Sequence, residues 1–174
     1  MGLKQDIRDS RDYKKFQKIV VGVQERLNIE KDRAEALSLH AGRTSRKLFG
    51  DRRYSPKHLL DASLNDMSSR SRLVELRVKT TNQIDVLHDA CKAMRHSISS
   101  NFSEDVKARF KTVGERNAFF DTMIASALEI EAEGQAQIKL LDDLINDVDK
   151  ASFHLRNVIG CLELLQGSKA GTVI

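Results

Sequence analysis

The chain has 174 residues, of which 5% are aromatic, 31% are charged and none is tryptophan, and its formal net charge is +4. So few large apolar side chains argue against a thick globular core and for long amphipathic helices that bury narrow seams against each other or against partner subunits. The net charge conceals a gradient: residues 1–60 carry 15 Lys/Arg against 8 Asp/Glu, residues 61–116 carry 10 against 8, and residues 117–174 carry 4 against 9. A basic front and an acidic rear suit contact with a polyanion, or head-to-tail attraction between subunits.

The first predicted helix spans about 10–49. Tyr13, Phe16, Val20, Val23, Leu27, Ala34, Leu37, Ala41 and Leu48 fall on one heptad frame, with Glu30 and Thr44 as its polar members. Asp9 or Ser10 can cap the start, and Gly50 ends the helix. After the loop 50–55, Ser55 is an N-cap and Pro56 takes the first helical position, where a missing N–H is no loss.

The second helix, 56–98, places Leu60, Leu64, Met67, Ser71, Val74, Val78 and Thr81 on a frame. It then slips by three residues to Ile84, Leu87, Cys91, Met94 and Ile98, a stammer that predicts overwinding or a bend near Thr81. Ser103, followed by Glu104 and Asp105, is the expected start of the third helix.

That third helix, 104–166, carries the longest pattern in the chain. Val106, Phe110, Val113, Asn117, Phe120, Ile124, Ala127, Glu131, Gly134, Ile138, Leu141, Ile145, Val148, Ser152, Leu155, Ile159, Leu162 and Gln166 recur at alternating steps of four and three, a coiled-coil period. Either Gly114 or Gly134 marks a bend, Gly167 is a C-terminal stop, and residues 169–174 form a flexible tail. Asn117, Glu131 and Ser152 are the polar seam members expected to set register. The predicted fold is therefore all-α. Three long antiparallel amphipathic helices form an elongated, coiled-coil-like bundle in one domain, 1–168, and oligomerisation rests on Ile138, Leu141, Ile145, Val148, Leu155, Ile159 and Leu162.

Little points to catalysis. Cys91 and Cys161 both lie in apolar stretches and read as reduced core thiols. The start MGLKQDIRDSRDYKK has no apolar signal core, and no segment reaches the roughly 20 apolar residues of a membrane span, so a cytoplasmic location is expected. No Gly-rich phosphate loop, GxSxG or HExxH occurs, and His88, Cys91 and His96 do not share one helix face. The carboxylates at 129–133 and 142–149 read as solvated acidic surface. No catalytic residue, metal or cofactor is expected.

Two basic constellations stand out. Arg43, Arg46 and Lys47 close the first helix, and Arg52, Arg53 and Lys57 follow across the turn; six cations at one tip suit salt-dependent phosphate binding. Lys107, Arg109 and Lys111, with Arg116, open the third helix, with Lys107 and Lys111 one turn apart. With few aromatics beside them, strand binding there would rest on phosphates and tolerate any sequence. The run Ser68 to Arg72 adds a weaker patch.

Val106-Lys107-Ala108-Arg109-Phe110 resembles the Leu-Lys-Ala-Arg-Leu element of the UvsY-type recombination mediators of tailed phages. Phe153-His154-Leu155-Arg156-Asn157-Val158-Ile159 is similar to an aromatic-x-aliphatic-basic-x-x-aliphatic element near their C-termini. The likeness covers roughly residues 63–168. It implies a non-enzymatic homo-oligomer whose Lys107 and Arg109 contact single-stranded DNA, whose C-terminal helix drives ring assembly, and which loads a recombinase onto DNA coated by a single-strand-binding protein. Long helices with basic patches also fit a BAR-like or secretion-type scaffold acting on membranes or proteins, or a virion subunit.

Overall fold

The computed structural model describes residues 2–45 and 55–170, with side chains for all of these except 56 and 165–170. Among the described residues the secondary structure is helical, with no strand. The helices are α1 (Leu3–Asp9), α2 (Arg11–Arg26), α3 (Ile29–Ala41), α4 (Pro56–Asn101), α5 (Ser103–Arg109), α6 (Val113–Met123) and α7 (Ala125–Ala170). The chain divides into two compact units, one of Met1–Ile29 with Lys79–Ile138 and one of Glu30–Val78 with Lys139–Ile174.

The all-α expectation holds, but only the second predicted helix is one continuous element. The first starts where expected, at Arg11 after Ser10, but is cut between Arg26 and Ile29, and a further short helix, Leu3–Asp9, precedes it. Ser10 is indeed a cap: its hydroxyl accepts from the Tyr13 N–H at 3.2 Å, satisfying a donor that the start of α2 leaves without a helical partner. Ser55 likewise accepts from the His58 N–H at 3.2 Å.

The third predicted helix is broken at 110–112 and at Ile124. The first break is chemical rather than glycine-driven. Thr112 accepts from the Glu115 N–H at 3.1 Å while Glu115 accepts from the Thr112 N–H at 3.0 Å. This reciprocal capping box is a helix-start signal strong enough to interrupt a heptad pattern. Phe102, not Ser103, holds the cap position of α5, without a side-chain cap bond. Helix α7 runs through Gly167 to Ala170, and the expected tail beyond that lies outside the described residues.

In the first unit, Leu3 and Ile7 of α1, Phe16, Val20 and Val23 of α2, and Ile84, Leu87, Cys91, Met94 and Ile98 of α4 share one core with Val106, Phe119, Met123 and Ile124. Cys91 is buried as expected, and burial first, then the Glu131 charge, pushes its thiol up to about 11. Cys161, by contrast, is exposed. Gly134 is buried because α7 passes close to α4: a Cβ there would overlap Ile84 Cδ1 and stand 2.6 Å from its Cγ1. Gly114 lies in the first turn of α6, beside the break at 110–112, and Gly134 lies within α7.

In the second unit, Ala36, Leu73, Leu76, Leu141, Leu144 and Val148 form one core and Leu59, Ala62 and Leu155 another. Seven residues up α4 are matched by seven down α7, with Arg70 paired to Asp149 and Arg77 to Asp142, so the two helices run antiparallel in this unit.

The buried line of α4 differs from the predicted one. In the first part of the helix it runs Leu59, Ala62, Asp66, Ser69, Leu73, Leu76 and Thr80, whereas Leu60, Leu64, Met67 and Val78 are exposed. The apolar count favoured the wrong face, because polar Asp66, Ser69 and Thr80 are buried in place of hydrophobes. From Ile84 to Ile98 the predicted frame is correct. On α7 the centre of the buried stripe is Ala127, Gly134, Leu141, Val148 and Leu155, every seventh residue, flanked by Gln137 and Leu144 on one side and by half-buried Ile138, Ile145 and Ile159 on the other. Asn117 is exposed on α6, outside any seam, while Glu131 is half-buried and lies 3.2 Å from His88 Nδ1.

Candidate nucleic-acid interface

The predicted basic tip reduces to one testable member. Arg46, Lys47, Arg52 and Arg53 lie outside the described residues. Lys57 is exposed on the first turn of α4. Arg43 is withdrawn from solvent, which corrects its assignment as a phosphate contact: its side chain is 3% exposed and its Nε lies 3.8 Å from Asp66 Oδ1.

Arg43 belongs to a buried polar knot. Ser45 Oγ donates to Asp66 Oδ1 at 2.9 Å, the Thr44 N–H donates to Asn65 Oδ1 at 3.1 Å, and Asp147 stands 2.6 Å from His40 Nε2 and 3.7 Å from Arg43. Helix α3 has ended at Ala41, so the freed backbone and the guanidinium after it dock on α4 and α7. An uncompensated charge buried in this way costs several kcal/mol, so pairing Arg43 with Asp66 has priority over any external anion.

The other predicted cluster faces outward. Lys107, Arg109 and Lys111 are all exposed and make no ion pair among the described residues. Buried Val106 anchors α5 in the core shared with Leu3 and Ile7, so the alternate positions of this short helix turn to solvent. Lys111 is not on the same helix as Lys107, because α5 stops at Arg109. Arg116 is structural: its Nη1 donates to the Phe110 and Lys111 carbonyl oxygens at 3.3 Å and closes the link between α5 and α6. Phe110 stacks on Phe119 with ring centroids 4.7 Å apart, which withdraws the nearest aromatic from base stacking.

No family model, curated protein or solved structure matches this chain. Function therefore rests on the geometry of its own residues.

One surface escaped the sequence reading. Arg11, Lys14, Lys15 and Lys18 occupy the outer side of α2, opposite Phe16, Val20 and Val23, and line a shallow groove with Asp9. Their spacing is one helical stripe, and none has an ionic partner among the described residues. Like charges one turn apart cost an isolated helix a few tenths of a kcal/mol per pair, so this row is electrostatically unsatisfied within its own unit. The signal was legible in the pair Lys14-Lys15 bracketed by Arg11 and Lys18, each off the heptad frame.

The arginines of α4 are instead matched by carboxylates. Arg70 donates to Asp149, Arg72 to Glu35 and Glu75, Arg77 to Asp142, and Arg95 to Asp121. The Glu35 and Glu75 carboxylates hold the Arg72 guanidinium above the usual arginine range. The patch expected at Ser68 to Arg72 is thus consumed by ion pairs, and three members of the acidic rear, Asp142, Asp147 and Asp149, are the partners of basic side chains on α3–α4 and the segment between them. The oligomerisation set is also engaged internally: Leu141, Val148 and Leu155 are buried by the chain's own helices, and Ile138, Ile145, Ile159 and Leu162 are half-buried against the same clusters. Among the described residues no three His, Cys, Asp or Glu are grouped to hold a metal, and no helix is long and apolar enough to cross a membrane.

Proposed function

We propose that this chain is a non-enzymatic, homo-oligomeric helical protein that binds single-stranded DNA through its phosphates. It serves in the cytoplasm, of a host cell if viral, as a recombination accessory factor that helps load a recombinase onto DNA covered by a single-strand-binding protein. The observation that carries the binding step is the sorting of its cations. The four arginines of α4, Arg70, Arg72, Arg77 and Arg95, are paired with carboxylates, while Lys107 and Arg109 on α5 with Lys111 just beyond it, and Arg11, Lys14, Lys15 and Lys18 on α2, all in the first unit, make no ion pair among the described residues. With Phe110 packed against Phe119, recognition is electrostatic and tolerant of sequence.

The test is fluorescence anisotropy with a labelled oligonucleotide across about 50 to 300 mM salt, where counterion release makes affinity fall steeply. Lys107→Glu with Arg109→Glu, and separately Lys14→Glu with Lys18→Glu, will weaken binding and flatten the salt dependence by about 0.7 in log–log slope for each phosphate no longer neutralised. Binding indifferent to salt or to both pairs sinks the reading. Sedimentation with anionic liposomes but no retention of DNA moves it to a membrane scaffold.

A further inference from the structure

Helix α4 carries a second apolar line that its own unit leaves bare. Leu60, Leu64, Met67, Ser71, Val74 and Val78 recur at steps of four and three, and the four largest are 58%, 56%, 60% and 47% exposed at 60, 64, 67 and 78. At about 100° per residue this line lies roughly 150° around the helix from the buried one through Leu59, Ala62, Leu73 and Leu76. Its period is 3.5 residues. A line of that period stays in contact along its length with another helix that supercoils with it.

The flanking charges select the partner. With Leu64, Ser71 and Val78 at the a positions and Leu60, Met67 and Val74 at d, the e positions are Asp61, Ser68 and Glu75, and the g positions are Ser63, Arg70 and Arg77. An antiparallel second copy would set e against e and g against g, so that Asp61 meets Glu75 of the partner subunit and the two Arg70 side chains meet each other. A parallel copy sets g against the following e, so that Arg70 meets Glu75 of the partner subunit. Both groups have capacity left: Arg70 donates to Asp149 through Nε and Nη2, leaving Nη1, and Glu75 accepts from Arg72 at Oε2, leaving Oε1.

We propose that this face of α4 is the interface for a second copy of the chain, joined through the same helix in parallel register. The proposal rests on the homo-oligomeric part of the reading above and not on its nucleic-acid part. It moves self-association from the α7 residues Leu141, Val148 and Leu155, which the chain covers itself, to a line that it leaves open.

Sedimentation equilibrium of the full chain without nucleic acid gives a dimer mass, and Leu64→Lys with Met67→Lys, both at exposed sites, gives a monomer with unchanged helical circular dichroism. Orientation is read by disulfide trapping in a Cys161→Ser background, Cys91 being buried. Chains with Leu60→Cys alone or Val78→Cys alone each form covalent dimers on oxidation. Mixed chains do not bridge 60 to 78, because those positions are about 27 Å apart along a helix and a disulfide spans less than about 7 Å between Cα atoms. A monomeric parent overturns both this interface and the oligomeric reading. A dimer that survives both lysines, or bridging only between 60 and 78, overturns this interface or its direction while leaving the DNA-binding reading intact.

Discussion

At Gly134 the absence of one carbon sets how closely α7 can approach α4. Helix propensity alone favours alanine there by about 1 kcal/mol. The added Cβ would overlap Ile84 Cδ1 and sit 2.6 Å from its Cγ1, inside a side chain that is itself 2% exposed. Overpacking typically costs about 1–3 kcal/mol, so it outweighs the propensity gain. Gly134→Ala is expected to lower the unfolding free energy by roughly 1 kcal/mol in urea titration, and Ile84→Val, which removes the closest atom, to recover part of that loss in the double variant. Additive losses would mean that the two positions do not compete for the same space. Arg43 teaches the complementary lesson: a cation read from sequence as a phosphate ligand is buried beside Asp66, and nothing in its spacing distinguishes it from a surface arginine.

At the scale of elements, the capping box at Thr112 and Glu115 decides that the long heptad pattern becomes separate helices. Removing the cap hydroxyl in Thr112→Ala is expected to destabilise α6 by about 1 kcal/mol, seen as faster amide exchange across Val113–Met123. Hydrogen bonds from the Thr112 backbone N–H, and then from its side chain, hold the Glu115 carboxyl below the usual glutamate range. A carboxyl with a depressed folded value contributes stability that is present above its unfolded value, near 4.3, and is lost as pH falls through the folded one. Acidification below about pH 4 should therefore weaken α6 in the parent, with a smaller effect in Glu115→Gln; an equal acid response in both would remove the box from the account. The heptad frame itself was readable for Ile84 to Ile98 on α4 and for much of α7. On the first half of α4 it pointed to the exposed side, because the buried face there carries Asp66, Ser69 and Thr80.

For the whole molecule, charge does two separate jobs. The pairs Arg70–Asp149, Arg72–Glu35 and Arg77–Asp142 join helices at substantially exposed positions, where each is worth about 0–1 kcal/mol and is screened by salt. Folding stability is accordingly expected to change by no more than about 1–2 kcal/mol between 50 and 500 mM salt in urea titrations, over a range in which affinity for a polyanion would fall by orders of magnitude. A large loss of stability with salt would show that these pairs hold the fold rather than trim it. The gradient of net charge visible along the chain is in part this internal pairing, and only the remainder is open to a partner.

Composition and periodicity by themselves determined that the chain is helical. An aromatic-poor, heptad-patterned sequence can satisfy its backbone and bury its seams only as amphipathic helices, and local chemistry at Ser10, Ser55 and Pro56 marked where two of them begin. Tertiary structure alone decided which of two apolar lines on α4 is covered, which arginines are already matched by aspartates on α7, and which cations, those of α2 and α5 among them, are left facing solvent. The reason is physical. Helix formation is governed by neighbours within one or two turns, which a sequence displays, whereas burial and ion pairing depend on residues 65 to 107 positions away, as at Arg77–Asp142 and His40–Asp147, whose meeting no local spacing records.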